Sequence, residues 1–489
     1  MVQQVLAMRQ LVARLRPLAL TIVITAWAAL PAAAQSDEQV GAEMAQQVEA
    51  KIGLYEAPII SDYVRAIGDR LVGNLEDNRY TFKFHIVDQF DPNAFAVPGG
   101  WVYLSRGLLV LANNEDELAG VVGHEIRHIT ERHSARRQRR GILGGVLQIP
   151  GNIVGVVVNE DIGQLLNAPI STISQISLAS YSRSQESEAD RLGMRVAARS
   201  GYDPAALANI LVRIEADVEM LTGERRKSSF FDSHPNTPGR AKNINAEAQS
   251  LQRAVEPPIA TGQRDFLRRL DGLWYDANPA QGVFDGDRFY HPDLGFTITF
   301  PSGWKTLNTP SFVGAYAEEQ RAIVLFTIAG DADPADYGTQ FVARLRDEHS
   351  AQPLESRPAE GEEWTGYYVT LEESERRGGE RSYLHYLWAR VGGITYQLVA
   401  AGADRYREAL RSTALSLRTL RQDDWESIAA LRVRVIEARD GESLAELGER
   451  TGNRWTPEYT ALINDLAVVQ MLEAGTLVKI AHRERYRPR

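Results

Sequence analysis

The stretch His124-Glu125-Ile126-Arg127-His128 puts two imidazoles four residues apart, with a carboxylate directly after the first. In a helix, positions i and i+4 share a face with Cβ atoms about 6 Å apart, so both rings can converge on one Zn2+ at about 2 Å. Glu125 then projects beside the ion and not onto it, where a carboxylate can take a proton from an activated water. That is the arrangement of metal-assisted hydrolysis. The same five residues also fit a helix carrying two histidines on a solvated face. What separates the two readings is a third ligand, because a catalytic zinc takes three protein donors and keeps one position open.

The third donor is expected in Ser182-Arg183-Ser184-Gln185-Glu186-Ser187-Glu188-Ala189-Asp190-Arg191-Leu192-Gly193, a polar stretch that reads as a second helix, with Glu186 and Asp190 again four apart. Glu186 can be the ligand, while Asp190 can accept a hydrogen bond from a ligand imidazole and fix its tautomer. Glu188 points to a different face. By itself this segment is a charged, solvated helix; the upstream motif gives it a role. His133, five residues after His128, falls off the ligand face. It reads, with Arg132, Arg136, Arg137, Arg139 and Arg140, as the basic end of a helix. His85, His349, His385 and His482 have no ligand-like companions.

His-Glu-x-x-His followed by Glu-x-x-x-Asp resembles the gluzincin metallopeptidases of the CAAX-prenyl-protease and HtpX class, over residues 40–255. The resemblance implies one Zn2+ per chain on His124, His128 and Glu186, with Glu125 as general base and Asp190 orienting the shell. Asn93-Ala94-Phe95-Ala96 and Pro98-Gly99-Gly100-Trp101-Val102-Tyr103-Leu104 resemble the segment those enzymes place before the active helix. The alternation of Trp101 and Tyr103 with Val102 and Leu104 suits an edge strand, so Gly100, Trp101, Val102 and Tyr103 are expected to pair with extended substrate. Ser233-His234-Pro235 with Arg240 resembles the His-Pro…Arg element of the soluble periplasmic, BepA-like branch. There His234 would take the fourth zinc position and hold the enzyme latent. Arg240 would balance the acidic cluster or stabilise an oxyanion, and the residues alone leave both open. Residues 141–180, rich in Gly, Ile, Val and Leu, resemble the segment lying over the active site; a lid, ordinary core packing and a membrane-facing patch all fit the composition.

These side chains need a helix from Glu115 to His133, opened by Asn114 as N-cap with Glu117 three residues on. Around it the chain reads as multidomain. Residues 1–34 form a signal peptide: Arg9, Arg14 and Arg16 precede the apolar Leu18 to Leu30, and Ala32-Ala33-Ala34 offers a cleavage site after Ala34. The product is expected in a bacterial periplasm, with membrane association through an uncleaved leader as the alternative. Residues 35–255 form a mainly α, zincin-type catalytic domain with a small β-sheet. Glu256-Pro257-Pro258 breaks it from a mixed α/β domain at 263–426, where Phe296 to Phe300 alternates strictly and Gly295 to Trp304 is weakly similar to PsbP-like folds. Residues 430–483 resemble a LysM-like βααβ module, on Ala438 to Leu447, Leu462 to Leu466 and Leu472 to Ile480.

Composition narrows the function. At 489 residues, 44% hydrophobic and 24% charged, the chain is globular and too long for one core. A formal charge of −10 argues against nucleic acid as a partner. With no cysteine, disulfides, thiolate metal sites and thiol nucleophiles are excluded, leaving His, Asp and Glu to bind metal. The expected function is an exported zinc endopeptidase hydrolysing misfolded or misassembled envelope proteins. The alternative is a latent zinc protein acting as assembly chaperone or cell-wall-tethered scaffold. Unfolded envelope proteins are the expected partners, with peptidoglycan and the outer-membrane assembly machinery as further candidates.

Overall fold

The computed structural model describes residues 36–134, 180–222, 230–236, 239–317, 322–349, 351–373 and 381–487. The expected leader, and the 141–180 segment apart from its last residue, lie outside the described residues. Among the described residues no helix is long and apolar enough to cross a membrane.

Helix α1 (Asp37–Lys51) starts on a capping box between Ser36 and Gln39, and α2 (Pro58–Gly73) starts on a proline, whose missing N–H costs nothing in the first turn. A three-stranded sheet follows: β1 (Lys83–Val87), β2 (Ala94–Val97) and β3 (Trp101–Ser105), in the order β1-β3-β2. Gly99 and Gly100, at φ 83° and 118°, turn the chain from β2 into β3; a Cβ on Gly100 would meet the Thr81 carbonyl oxygen at 2.4 Å.

This order corrects the expectation of an edge strand at Gly100 to Tyr103. Strand β3 is central, parallel to β1 on one side and antiparallel to β2 on the other. Trp101, Val102 and Tyr103 are buried, and the Gly100 carbonyl accepts the Lys83 N–H at 2.8 Å. Alternation of side chains reports a strand but not its neighbours, and here both flanks are already paired. The strands at the two ends of the sheet are β1 and β2.

After α3 (Arg106–Leu111) comes α4 (Glu115–Thr130), which carries both motif histidines. Asn114 caps it, its side-chain oxygen accepting the Glu117 N–H at 2.9 Å. The Glu117 carboxylate takes the Asn113 N–H and a buried pair with Arg213, so the start of the helix is tied to its neighbour. Helix α5 (Arg183–Arg199) opens on a Ser182–Gln185 capping box and crosses α4 backbone to backbone: a Cβ on Gly193 would come within 2.9 Å of the His124 nitrogen. That close approach, which only glycine permits, brings the carboxylates of α5 to the histidines of α4. Helices α6 (Ala206–Thr222), α7 (Phe230–Ser233) and α8 (Arg240–Ala248) complete this region.

Helix α9 (Gln263–Leu270) and β4 (Trp274–Tyr275) pack into the same core as α2 and α4, through Phe266, Leu267, Leu270 and Trp274. The break in packing therefore falls after β4, later than the expected 263. The middle region holds β5 (Val283–Asp285), β6 (Arg288–His291), β7 (Phe296–Thr299), β8 (Lys305–Asn308), β9 (Val313–Tyr316), β10 (Ala322–Gly330), α10 (Pro334–His349), β11 (Glu355–Glu360), β12 (Thr365–Glu373), β13 (Ser382–Val391), β14 (Ile394–Ala403), α11 (Arg407–Leu415) and β15 (Arg418–Thr419). Its strands form two sheets, β11-β12-β13-β14-β10-β9-β8 and β15-β7-β6-β5, antiparallel throughout.

The chain then returns through β16 (Ala429–Glu437), α12 (Leu444–Thr451), α13 (Pro457–Asn464) and β17 (Leu477–Arg485). This βααβ unit pairs with β4 and shares the first core through Val433, Trp455, Tyr459 and Ile463. Lys479 is fully buried and donates to the Val110 and Ala112 carbonyls at 2.7 and 2.8 Å, satisfying the C-terminal end of α3. The unit is thus tied to the end of α3 and to the first core.

Candidate metal centre

Helix α4 supplies His124, Glu125 and His128; α5 supplies Glu186 and Asp190; His234 follows α7, and Arg240 opens α8. The structure brings all seven together, each buried. His124 Nε2 lies 2.9 Å from His128 Nε2 and 3.2 Å from His234 Nδ1. Glu186 Oε1 lies 3.3 Å from His128 Nε2 and 3.2 Å from His234 Nδ1. One donor atom from each of His124, His128, Glu186 and His234 falls within 4.8 Å of every other. Gly100 to Tyr103 are not part of this cluster; they are held in the central strand.

The outer contacts set the protons. His124 Nδ1 faces Asp190 Oδ1 at 2.8 Å, which makes Nδ1 a protonated nitrogen and turns Nε2 to the cluster; Asp190 and Glu186 together raise the imidazole against its burial. Arg240 spans both carboxylates: Nε and Nη2 donate to Asp190 at 2.8 and 2.7 Å, and Nη1 lies 2.9 Å from Glu186 Oε2. His234 turns Nδ1 to the cluster and Nε2 to Glu125 Oε1 at 3.3 Å. Phe230 stacks on the His234 ring at 4.4 Å, and Tyr181 on the His128 ring at 3.7 Å.

Burial pushes the Glu125 carboxyl up and the His128 imidazole well down, so His128 is neutral and its nitrogen available. Burial would also raise Glu186 and Asp190, but it is overridden. Beside His234 and His124, Glu186 stays well below the usual carboxylate range, and Asp190 is held down by Arg240. Imidazole nitrogens and an ionised carboxylate are turned toward one point in a buried site, a donor set that a divalent cation would satisfy. Glu125 Oε2 is buried with no hydrogen-bond partner among the described residues. Three imidazoles and one carboxylate are ligands suited to Zn2+, so the donor set fits that ion.

His133 is not among the clustered donors, but the structure corrects its reading as part of a solvated helix end. Its ring is fully buried, with Nδ1 2.9 Å from Nδ1 of His128. Tyr181 and Phe230, which sandwich the centre, carry no signal in the sequence that would have marked them.

Residues 59–248 match the profile of Peptidase family M48. A beta-barrel assembly-enhancing protease of Yersinia pestis is 30% identical over 226 residues, which is 45% of this chain and 45% of that protein. The metalloprotease LoiP of Escherichia coli K12 is 27% identical over 206 residues, 41% of this chain and 75% of that protein. The chain spans about half the length of the beta-barrel assembly-enhancing proteases it matches. Among solved structures, cyanobacterial PsbP from Synechocystis sp. PCC 6803 aligns over 28% of this chain and 95% of its own, at 12% identity and a TM-score of 0.22. At that score the likeness says nothing about fold.

Proposed function

We propose that the chain, whose residues 59–248 match the profile of Peptidase family M48, is a zinc-dependent endopeptidase acting on misfolded or misassembled proteins of the bacterial envelope. The observation that carries this is the convergence of His124, His128 and Glu186 from two helices, with the Glu125 carboxylate buried beside them. Bound there, zinc would supply Lewis-acid polarisation of a peptide carbonyl and of water. Glu125, raised by burial toward neutrality, would take the proton of the attacking water and return it to the departing amine. Asp190 would hold the His124 tautomer. All three nitrogen positions of Arg240 lie against carboxylate oxygens, which favours charge balance over oxyanion stabilisation.

The envelope substrate class is supported by the name of the relatives, beta-barrel assembly-enhancing protease, and export by the leader-like 1–34. The scaffold alternative is not favoured, since the named relatives are proteases. The test is direct: purified protein should carry one zinc per chain, and it should digest an unfolded casein-type substrate until a chelator is added. Protein that binds no zinc would refute the reading.

His234 supports a latch. Its Nδ1 takes the position a fourth ligand would occupy, and its Nε2 is directed at the general base. One side chain thus competes with both water and proton transfer. His234→Ala should raise the rate on unfolded substrate by about tenfold or more, since even 1.4 kcal/mol of latch stability holds nine-tenths of the molecules closed. An unchanged or lower rate at equal zinc content would remove the latch.

A further inference from the structure

The geometry points to His133 and Glu188 as a hydrogen-bond relay that fixes the tautomer and orientation of the His128 imidazole, which makes His133 a positioning residue of the metal centre. The inference rests on the metal reading above and extends it one layer outward. Of the two imidazoles on α4, His124 has a carboxylate at its rear nitrogen, Asp190 at 2.8 Å. The rear nitrogen of His128 instead lies 2.9 Å from Nδ1 of His133, whose Nε2 lies 3.2 Å from Glu188 Oε2. Asp190 and Glu188 are two residues apart on α5, so one helix serves both histidines, the nearer directly and the farther through a second ring.

The proton positions follow in one sense only. His128 Nε2 is turned to the cluster, 3.3 Å from Glu186, and must be bare to accept a cation. Its proton then sits on Nδ1 and is donated to a bare Nδ1 of His133. His133 in turn carries its proton on Nε2 and donates it to Glu188, where the chain ends on a full acceptor. Every link has one donor and one acceptor, and the terminal carboxylate raises the basicity of the ring that faces the metal.

The backbone is arranged to hold His133 there. Helix α4 ends at Thr130, and Arg132 adopts φ 52°, a left-handed conformation unfavourable for a residue with a side chain. That reversal returns the fifth residue after His128 to its side, where a continuing helix would carry it away. Arg132 is anchored to Asp37 at 2.9 and 3.0 Å, and Gln185 donates to the His133 carbonyl at 3.0 Å. Glu188 keeps 33% of its side chain exposed, at an open groove also lined by Ser184, Ser187, Asp190 and Arg240. The relay therefore runs from the buried centre to solvent.

The test uses the full chain, stripped of metal and titrated with zinc against a chelating indicator, together with the visible spectrum of the cobalt(II) form. His133→Leu should bind zinc about 10- to 100-fold more weakly and shift the cobalt bands. His133→Gln, whose amide can accept from His128 and donate to Glu188, should stay within severalfold of wild type. Glu188→Ala should fall between them. A packing role alone would give the Leu and Gln variants equal zinc affinity, and that result would overturn the relay. So would a folded His133→Leu variant with wild-type affinity. Should His133→Leu fail to fold, Glu188→Ala decides, with wild-type affinity and an unchanged cobalt spectrum overturning the proposal. A wild type that takes up no zinc would overturn both this inference and the metal reading, whereas equal binding by wild type and variants would overturn the relay alone.

Discussion

Glu125→Gln should keep its zinc and lose about 10²- to 10⁴-fold in the rate of unfolded-protein hydrolysis. The substitution is nearly isosteric and Glu125 is fully buried, so packing is unchanged. None of the four clustered donors is touched, which is why metal content should hold. What disappears is the one carboxylate that is buried, raised by its surroundings and left with an oxygen unpartnered among the described residues. A raised carboxyl is the better proton carrier at neutral pH, because accepting from water and releasing to an amine both need a pKa nearer 7 than 4. The measurement is kcat on casein beside zinc per chain by metal analysis, preferably in a His234→Ala background, which separates the general base from the latch. Hydrolysis at the unsubstituted rate would show that the proton moves by another route.

The parts of this centre that were legible in the sequence are those written in helical periodicity. His124 and His128, and again Glu186 and Asp190, are four apart and share a face whatever the rest of the chain does. Asn114 was also readable, because caps are local. His133 was not, since its position depends on where α4 ends and on the left-handed Arg132, and neither follows from spacing. Trp101 to Tyr103 were recognisable as a strand, but whether a strand is central or at an edge is decided by the pairing of β1 and β2 on its flanks, which side-chain alternation does not encode. Lys479 shows the same limit. In Leu477-Val478-Lys479-Ile480 a lysine reads as solvated, yet it is fully buried because two carbonyls at the end of α3 require a donor. The joining of the last βααβ unit to the first core rests on such contacts, 369 and 367 positions apart in the chain.

Arg240→Ala should destabilise the metal-free protein by about 3–5 kcal/mol, the usual cost of removing one partner from a buried charge cluster. Arg240 is 5% exposed and lies against three carboxylate oxygens, two of Asp190 and one of Glu186. Without it both carboxylates remain in a dry site, with only the histidines to offset them, and one must take up a proton or draw in water. Zinc changes this balance, because a divalent cation held on His124, His128 and Glu186 supplies positive charge at the same cluster. The variant should therefore lose several degrees of thermal stability in chelator and recover a large part of that loss at saturating zinc. Arg240→Lys, which keeps the charge but not the two-pronged contact with Asp190, should fall between. Calorimetry of the three proteins with chelator and with zinc is the measurement, followed through the first transition because the chain has more than one core. An equal loss under both conditions would mean that Arg240 serves packing. A loss confined to chelator would mean that the guanidinium and the metal share the task of neutralising Glu186 and Asp190.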